Sequence, residues 1–208
     1  MINSANFHSH SPQAPLRCVS LDQFADADNR FLTLGIHPWQ SAEATADTIA
    51  LVDRLAADKR VVAIGEIGLD ALRGAPIPNQ IALLEAQIDI AQRHDLPIVL
   101  HIVRCYDRLL NLLSRRRISV PVAIHGFRGK PQLASELCRR GLYLSLGQRF
   151  NAQAAAVIPY SHLLIETDDA PIDQLTAVAT AVATARNTTA DAILTLTQTN
   201  LNRFLLGK

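Results

Sequence analysis

The segment Val61-Val-Ala-Ile-Gly-Glu-Ile-Gly-Leu-Asp70 decides how the chain is read. Its first part, Val61–Glu66, is a short apolar run that ends on a carboxylate, the pattern of a buried strand with a polar group at its C-terminal end. On either side, Ala42–Asp58 and Ile81–His94 carry apolar residues at helical spacing. A strand between two amphipathic helices is a βα unit of a parallel sheet. Further apolar runs predict strands at Ile2–Phe7, Leu16–Ser20, Phe31–Ile36, Pro97–His101, Val120–His125, Gly141–Leu146 and His162–Glu166. Helices are predicted over Tyr106–Arg115 and Pro131–Arg140. The tail from Ile172 to Phe204 reads as two helices broken near Asn187, with an Ala- and Thr-rich first half. Eight strands with interleaved helices predict an α/β fold, a (β/α)8 TIM-type barrel in a single domain spanning 1–208. The stretches His10–Leu16 and Ser20–Phe31 hardly have room for full helices, so helices near the N-terminus are expected to be reduced or missing.

Composition narrows the function. Twenty Lys and Arg against 19 Asp and Glu leave a net charge of +1, which excludes a chain-wide basic surface. Any nucleic-acid contact must therefore be local. Hydrophobic residues at 49% and charged ones at 19% provide a core and exclude disorder as the main state. No run approaches about 18 apolar residues, so no membrane span is expected. The opening MINSANFHSH has neither a basic nor an apolar signal region, so no signal peptide is expected. Cys18, Cys105 and Cys138 are far apart and odd in number. They read as reduced, buried thiols, and the cytoplasm is the expected compartment.

The informative feature is where polar residues fall. Of seven histidines, His8, His10, His37, His101 and His125 lie at C-terminal ends of predicted strands, as do Glu66 and Asp168. In a barrel these ends converge on one mouth. Each residue has a plain alternative. His8-x-His10 suits a surface pair, and Glu66 a helix cap or salt bridge. His101 and His125 suit satisfied core groups, and Asp168 a helix cap. Those alternatives would all have to hold at once, at the same end of four or five strands. Imidazoles and carboxylates are the usual ligands of Zn, Mn and related ions. Four histidines and two carboxylates exceed one tetrahedral catalytic ion and suit two ions about 4 Å apart sharing a carboxylate.

The motifs His8-Ser-His10, Gly35-Ile-His37-Pro38, Gly65-Glu66-Ile-Gly68-Leu69-Asp70, His101, His125-Gly126-Phe127 and Glu166-Thr167-Asp168 occur in order. In this the chain resembles the TatD-like metal-dependent hydrolases, best known as deoxyribonucleases. The match runs from about residue 6 to residue 170 and more faintly to Asn200–Phe204. The resemblance implies a phosphodiesterase, a 3′-5′ DNA exonuclease, with two divalent ions (Zn, Mn or Mg). His8, His10 and Asp168 would hold one ion, and His101 and His125 the other. Glu66 would bridge the two, and Asp168 would take a proton from the attacking water. It further implies a substrate-side place for His37, whose alternative is a buried structural histidine. Gly68 and Asp70 are expected to shape the loop after Glu66.

The sequence also departs from that pattern. Asn6 stands where the family usually has Asp, and Val103, followed by Arg104, where an arginine is common. After Asp168 only Ala170-Pro171-Ile172 remains of a longer segment. Arg104 and Arg128 are candidate substrate-binding residues, alongside Trp39, Arg73, Lys130 and Arg149. Trp39 reads as rim packing or as a base-stacking platform, and Arg115-Arg116-Arg117 as a solvated helix end. DNA or a small phosphoester is the expected substrate, with no membrane partner and a monomer or weak homo-oligomer. The competing readings are a small-phosphoester, lactone or amide hydrolase on the same metal centre, and a non-catalytic metal-binding or partner-docking protein.

Overall fold

The structure, a computed structural model, describes residues 1–206. They form two compact units. A central unit covers Cys18–Pro121, and a terminal unit combines Met1–Arg17 with the chain from Val122 onward. Strand β1 (Leu16–Val19) lies where the chain passes from one to the other.

In the central unit, β2 (Phe31–Leu34), β3 (Val61–Asp70) and β4 (Ile98–Val103) pair in parallel. Helices α1 (Ala46–Leu55), α2 (Ile77–Arg93) and α3 (Tyr106–Arg115) connect or follow them. Thr45 and Thr48 exchange side-chain and backbone hydrogen bonds in a capping box that starts α1. No helix precedes Pro38, where a single 3-10 turn, Pro38–Gln40, begins. The expected loss of early helices is therefore present. Leu32, Leu34, Ile64, Ile67, Leu69, Leu84 and Ile88 are fully buried and form the core of this unit. Arg115 and Arg116 of that basic run pair with Glu85 and Asp89 of α2 at the helix end, and Arg115 and Arg117 are exposed.

In the terminal unit, β5 (Val122–Ile124), β6 (Tyr143–Leu146) and β7 (Leu163–Ile165) pair in parallel. Helices α4 (Pro131–Arg139), α5 (Ala152–Val157), α6 (Leu175–Ala185) and α7 (Ala190–Leu206) accompany them. The tail breaks where expected, at Asn187, whose φ is 52°. Phe7, Tyr143 and Phe204 anchor the core through edge-to-face contacts at 5.4 Å.

Two expectations need correction. Ile2–Phe7 is not a strand: the N-terminal segment joins the sheet through isolated parallel bridges, Asn6 to Ile165 and Ser9 to Asp168. Asn6 and Ser9 bond Thr167 and the Asp168 carbonyl through their side chains in place of a continuous ladder. Nor do Gly68 and Asp70 shape a loop. They are strand residues, because β3 runs four residues past Glu66, with Gly68 opposite His101 and Asp70 opposite Val103. The register shifts between Ile64 and Ile67, so Glu66 sits in the irregularity, a device that re-aims a side chain.

Gly68 has φ +150°, and a Cβ there would lie 2.0 Å from the His101 carbonyl oxygen. Gly68→Ala is expected to cost at least about 1–3 kcal/mol, measured by denaturant unfolding. Wild-type stability in that variant would contradict the close approach. A second test concerns Cys138, buried in α4, whose thiol burial pushes up from 9.0 to about 11. A raised folded value means stability that is full below pH 9 and lost as pH climbs towards 11. The loss should be smaller in Cys138→Ala, read from unfolding curves across that range.

Candidate metal centre

In the terminal unit the N-terminal segment wraps the backbone of Asp168. The Asp168 N–H donates to the His8 carbonyl at 3.0 Å, and the His10 N–H donates to the Asp168 carbonyl at 3.3 Å. The Ser9 hydroxyl donates to that same carbonyl at 3.2 Å. These bonds hold Asp168 at φ 54°, a left-handed conformation unusual for a residue with a side chain. Its Oδ1 then lies 3.7 Å from His8 Nε2 and 3.6 Å from His10 Nε2. Asp168 is no helix cap.

The His125 ring stands 4.5 Å from that of His8, centre to centre, and ligand atoms of His8, His125 and Asp168 all lie within 4.8 Å of one another. His10, Asp168 and Asp169 form a second, more exposed group of the same kind. Behind His125 is Glu166, fully buried, with Oε1 3.3 Å from His125 Nδ1 and accepting the Gly126 N–H at 2.7 Å. Burial pushes the Glu166 carboxyl up, but the His125 contact and the nearby His125 and His8 rings outweigh it and hold it below the usual range. The ring is thereby oriented through Nδ1, leaving Nε2 as the nitrogen for a metal.

The central unit holds a second group, His37, Glu66 and His101. Glu66 Oε1 meets His101 Nδ1 at 2.6 Å and His37 Nε2 at 3.2 Å. The Trp39 N–H donates to His37 Nδ1, so the His37 ring proton sits on Nε2 and faces Glu66. Gln87 fixes the preceding residue by accepting from the Ile36 N–H at 2.6 Å and donating to its carbonyl at 3.1 Å. His101 Nε2 faces Asp70 Oδ2 at 3.2 Å, and the same oxygen accepts the Trp39 indole N–H at 2.6 Å. Burial raises the Asp70 carboxyl, yet the bonds from Trp39, the Leu72 N–H and His101 prevail and keep it low. With Asp70 on Nε2, His101 offers Nδ1 beside Glu66, the carboxylate–histidine arrangement of metal sites.

Residues widely spaced in the sequence are thus gathered: His8, His10, His125 and Asp168 in one unit, and Glu66, His101 and His37 in the other. Arg104, which follows β4 with φ 53°, and Arg128 are both exposed. The sequence places Asp70 in a loop and Glu166 only in the Glu166-Thr167-Asp168 motif, and assigns neither a part in orienting a histidine. Both are carboxylates at the end of apolar runs, and that was the available signal. Imidazole nitrogens and carboxylate oxygens converging at these distances suit a divalent ion, so the residues fit the metal that the motifs imply.

The profile of the family described as TatD related DNase matches residues 10–206. The chain belongs to that family. Among the relatives of the TatD family is an uncharacterized metal-dependent hydrolase, YjjV, of Escherichia coli K12. It is 33% identical over 156 residues, covering 69% of this chain and 60% of the relative. The 3′-5′ ssDNA/RNA exonuclease TatD of Citrobacter rodentium is 38% identical over 146 residues, covering 65% and 56%. The chain thus spans somewhat under two thirds of the length of these relatives. The crystal structure of the TatD homologue YjjV superposes with a TM-score of 0.81 at 24% identity, covering 92% of this chain and 85% of that one. A TatD family hydrolase of Entamoeba histolytica gives 0.76 at 15% identity, covering 95% and 86%. These likenesses show the fold, the α/β TIM-barrel type of the TatD proteins.

Metal binding is directly testable. Zn or Mn added to metal-free protein should raise its melting temperature, by the equivalent of about 2.7 kcal/mol when free metal reaches a hundred times Kd. Elemental analysis should find less metal in His101→Ala and in Asp168→Ala. Undiminished metal in both variants would remove the assignment.

Proposed function

We propose that this chain is a metal-dependent phosphodiesterase that shortens single-stranded DNA from its 3′ end. The observation that carries the reading is the pair of histidine–carboxylate clusters, each backed by a further buried carboxylate, in a chain of the TatD family. Similarity to proteins named as exonucleases supports the substrate class.

In this reading His8, His10, Glu66, His101, His125 and Asp168 would be the ligands of the divalent ions. Bound divalent ions acidify water and offset the charge that develops on phosphoryl oxygens. Asp168, with a partly exposed carboxylate, would accept the proton of the attacking water. Glu166 and Asp70 keep the His125 and His101 rings in the required orientation through the transfer. His37 donates from Nε2 on the substrate side of Glu66, and Arg104 and Arg128 supply charge for the phosphate. Cys18, Cys105 and Cys138 are buried and outside any disulfide, which suits a cytoplasmic setting. No helix among the described residues is long and apolar enough to cross a membrane.

Purified protein with Mg, Mn or Zn should digest end-labelled single-stranded DNA. Asp168→Ala should lower the rate by about a hundredfold or more while far-UV circular dichroism stays unchanged. Full activity in that variant would overturn the mechanism. Turnover of small chromogenic esters without any DNA digestion would move the assignment to a small-ester hydrolase on the same residues.

A further inference from the structure

Trp39 is the only tryptophan in the chain, and 48% of it is exposed beside the His37–Glu66–His101 cluster. An indole is a large apolar surface that folding normally covers. Here it is exposed and also held still. The residue sits in the 3-10 turn Pro38–Gln40, its backbone N–H tied to His37 Nδ1 and its ring N–H to buried Asp70 Oδ2. The ring centre lies 4.7 Å from that of His37 and 5.9 Å from that of His101. The bond to Asp70 explains where the N–H goes, but leaves the exposed part of the ring without a structural role.

The second observation is Arg73. Its exposed guanidinium lies over the indole, 4.3 Å from the ring centroid. The backbone beneath it is fixed, because the Gln80 side-chain amide donates to the carbonyls of Asp70, Arg73 and Ala75. A rigid, half-exposed π surface and a planar cation on a fixed stem are the two components that recognise an unpaired base with its phosphate.

We propose that Trp39 and Arg73 form a subsite for the base and phosphate of a terminal nucleotide in a single-stranded nucleic acid. The base stacks on the indole, and the guanidinium leaves the ring for the adjacent phosphate, where its fork of donors is matched by oxygens. Asp70 couples this subsite to His101 by accepting a hydrogen bond from Trp39 and facing the His101 ring through one oxygen. The proposal rests on the nuclease reading and names how that site grips its substrate.

The lone tryptophan makes the test direct. The full chain, with its metal, is titrated with a phosphorothioate-blocked single-stranded oligodeoxynucleotide, and with an abasic oligomer of equal length. Trp39 emission is excited at the red edge, where tyrosine is silent. The oligodeoxynucleotide should quench the emission saturably, and the abasic oligomer should leave it nearly unchanged. Anisotropy of a labelled oligomer should show about tenfold weaker binding by Trp39→Ala and Arg73→Ala. Trp39→Phe, which keeps a ring but loses the N–H, should recover part of the loss. In cleavage assays the effect should fall on KM more than on kcat. Equal quenching by both oligomers, or Trp39→Ala binding as tightly as the wild type, would overturn the subsite. DNA cleavage with unchanged KM in Trp39→Ala would overturn it while sparing the nuclease reading. Base-dependent quenching without any cleavage would support the subsite and remove the nuclease reading.

Discussion

Burying a carboxylate in a protein interior costs several kcal/mol unless charge and hydrogen bonds are supplied to it. Glu66, Asp70 and Glu166 are each less than one tenth exposed. A histidine faces each of them: His101 meets Glu66 and, with the Trp39 indole and the Leu72 N–H, Asp70, while His125 meets Glu166. A buried imidazole facing a carboxylate has its ring orientation and one nitrogen committed. A chain that needed only stability could place apolar side chains at these positions at little or no loss. Retaining three such pairs is the cost of holding imidazoles in fixed orientations, as a cation site would require.

The backbone is arranged around the same requirement. Gly68 lets β3 come against the His101 carbonyl, where a side chain would collide, and so fixes how far His101 stands from Glu66. Gln80 and Gln87, both fully buried in α2, spend their amides on the connections after Asp70 and before His37 rather than on each other. In the terminal unit the bonds from His8, Ser9 and His10 keep Asp168 in a left-handed conformation that its own side chain disfavours. Helix–strand packing sets the frame, and a few polar side chains acting on carbonyls and N–H groups set the last ångström.

Much of this could be read in the sequence, and the misses have physical reasons. Val61–Glu66 was visible as a strand because its apolar run has no competing period. Its extension through Gly68 was hidden because glycine next to a polar end is a turn signal, and only the neighbouring strand shows that the glycine serves close approach. Ile2–Phe7 reads as a strand from its apolar ends, yet its polar side chains bond elsewhere: Ser4 accepts the Asn6 N–H, Asn3 accepts from Gln198, and Asn6 pairs with Thr167. Helix α5 is only six residues, Ala152–Val157, too short for a periodic signal, although its Asn151 cap bonds Ala154 as such caps do. His8, His10, Glu66, His101, His125 and Asp168 stood out because polar residues at the ends of apolar runs are few. Asp70 and Glu166 carried that signal too, but supporting a ligand leaves no separate mark in one sequence.

Asn6 shows how a departure from the family pattern is absorbed. An aspartate there would only accept hydrogen bonds and would add a negative charge beside the imidazoles. The amide instead both gives and takes: its Nδ2 donates to the Thr167 hydroxyl at 2.8 Å, and its Oδ1 accepts the Thr167 N–H at 3.0 Å. That reciprocal pair, fully buried, ties the N-terminal segment to the residue before Asp168. The Thr167 hydroxyl donates to the Ser9 hydroxyl at 3.3 Å, and the Ser9 hydroxyl donates to the Asp168 carbonyl. The position of Asp168 is therefore secured by a neutral network, and the charge given up at residue 6 changes the attraction of these residues for a cation without loosening their geometry.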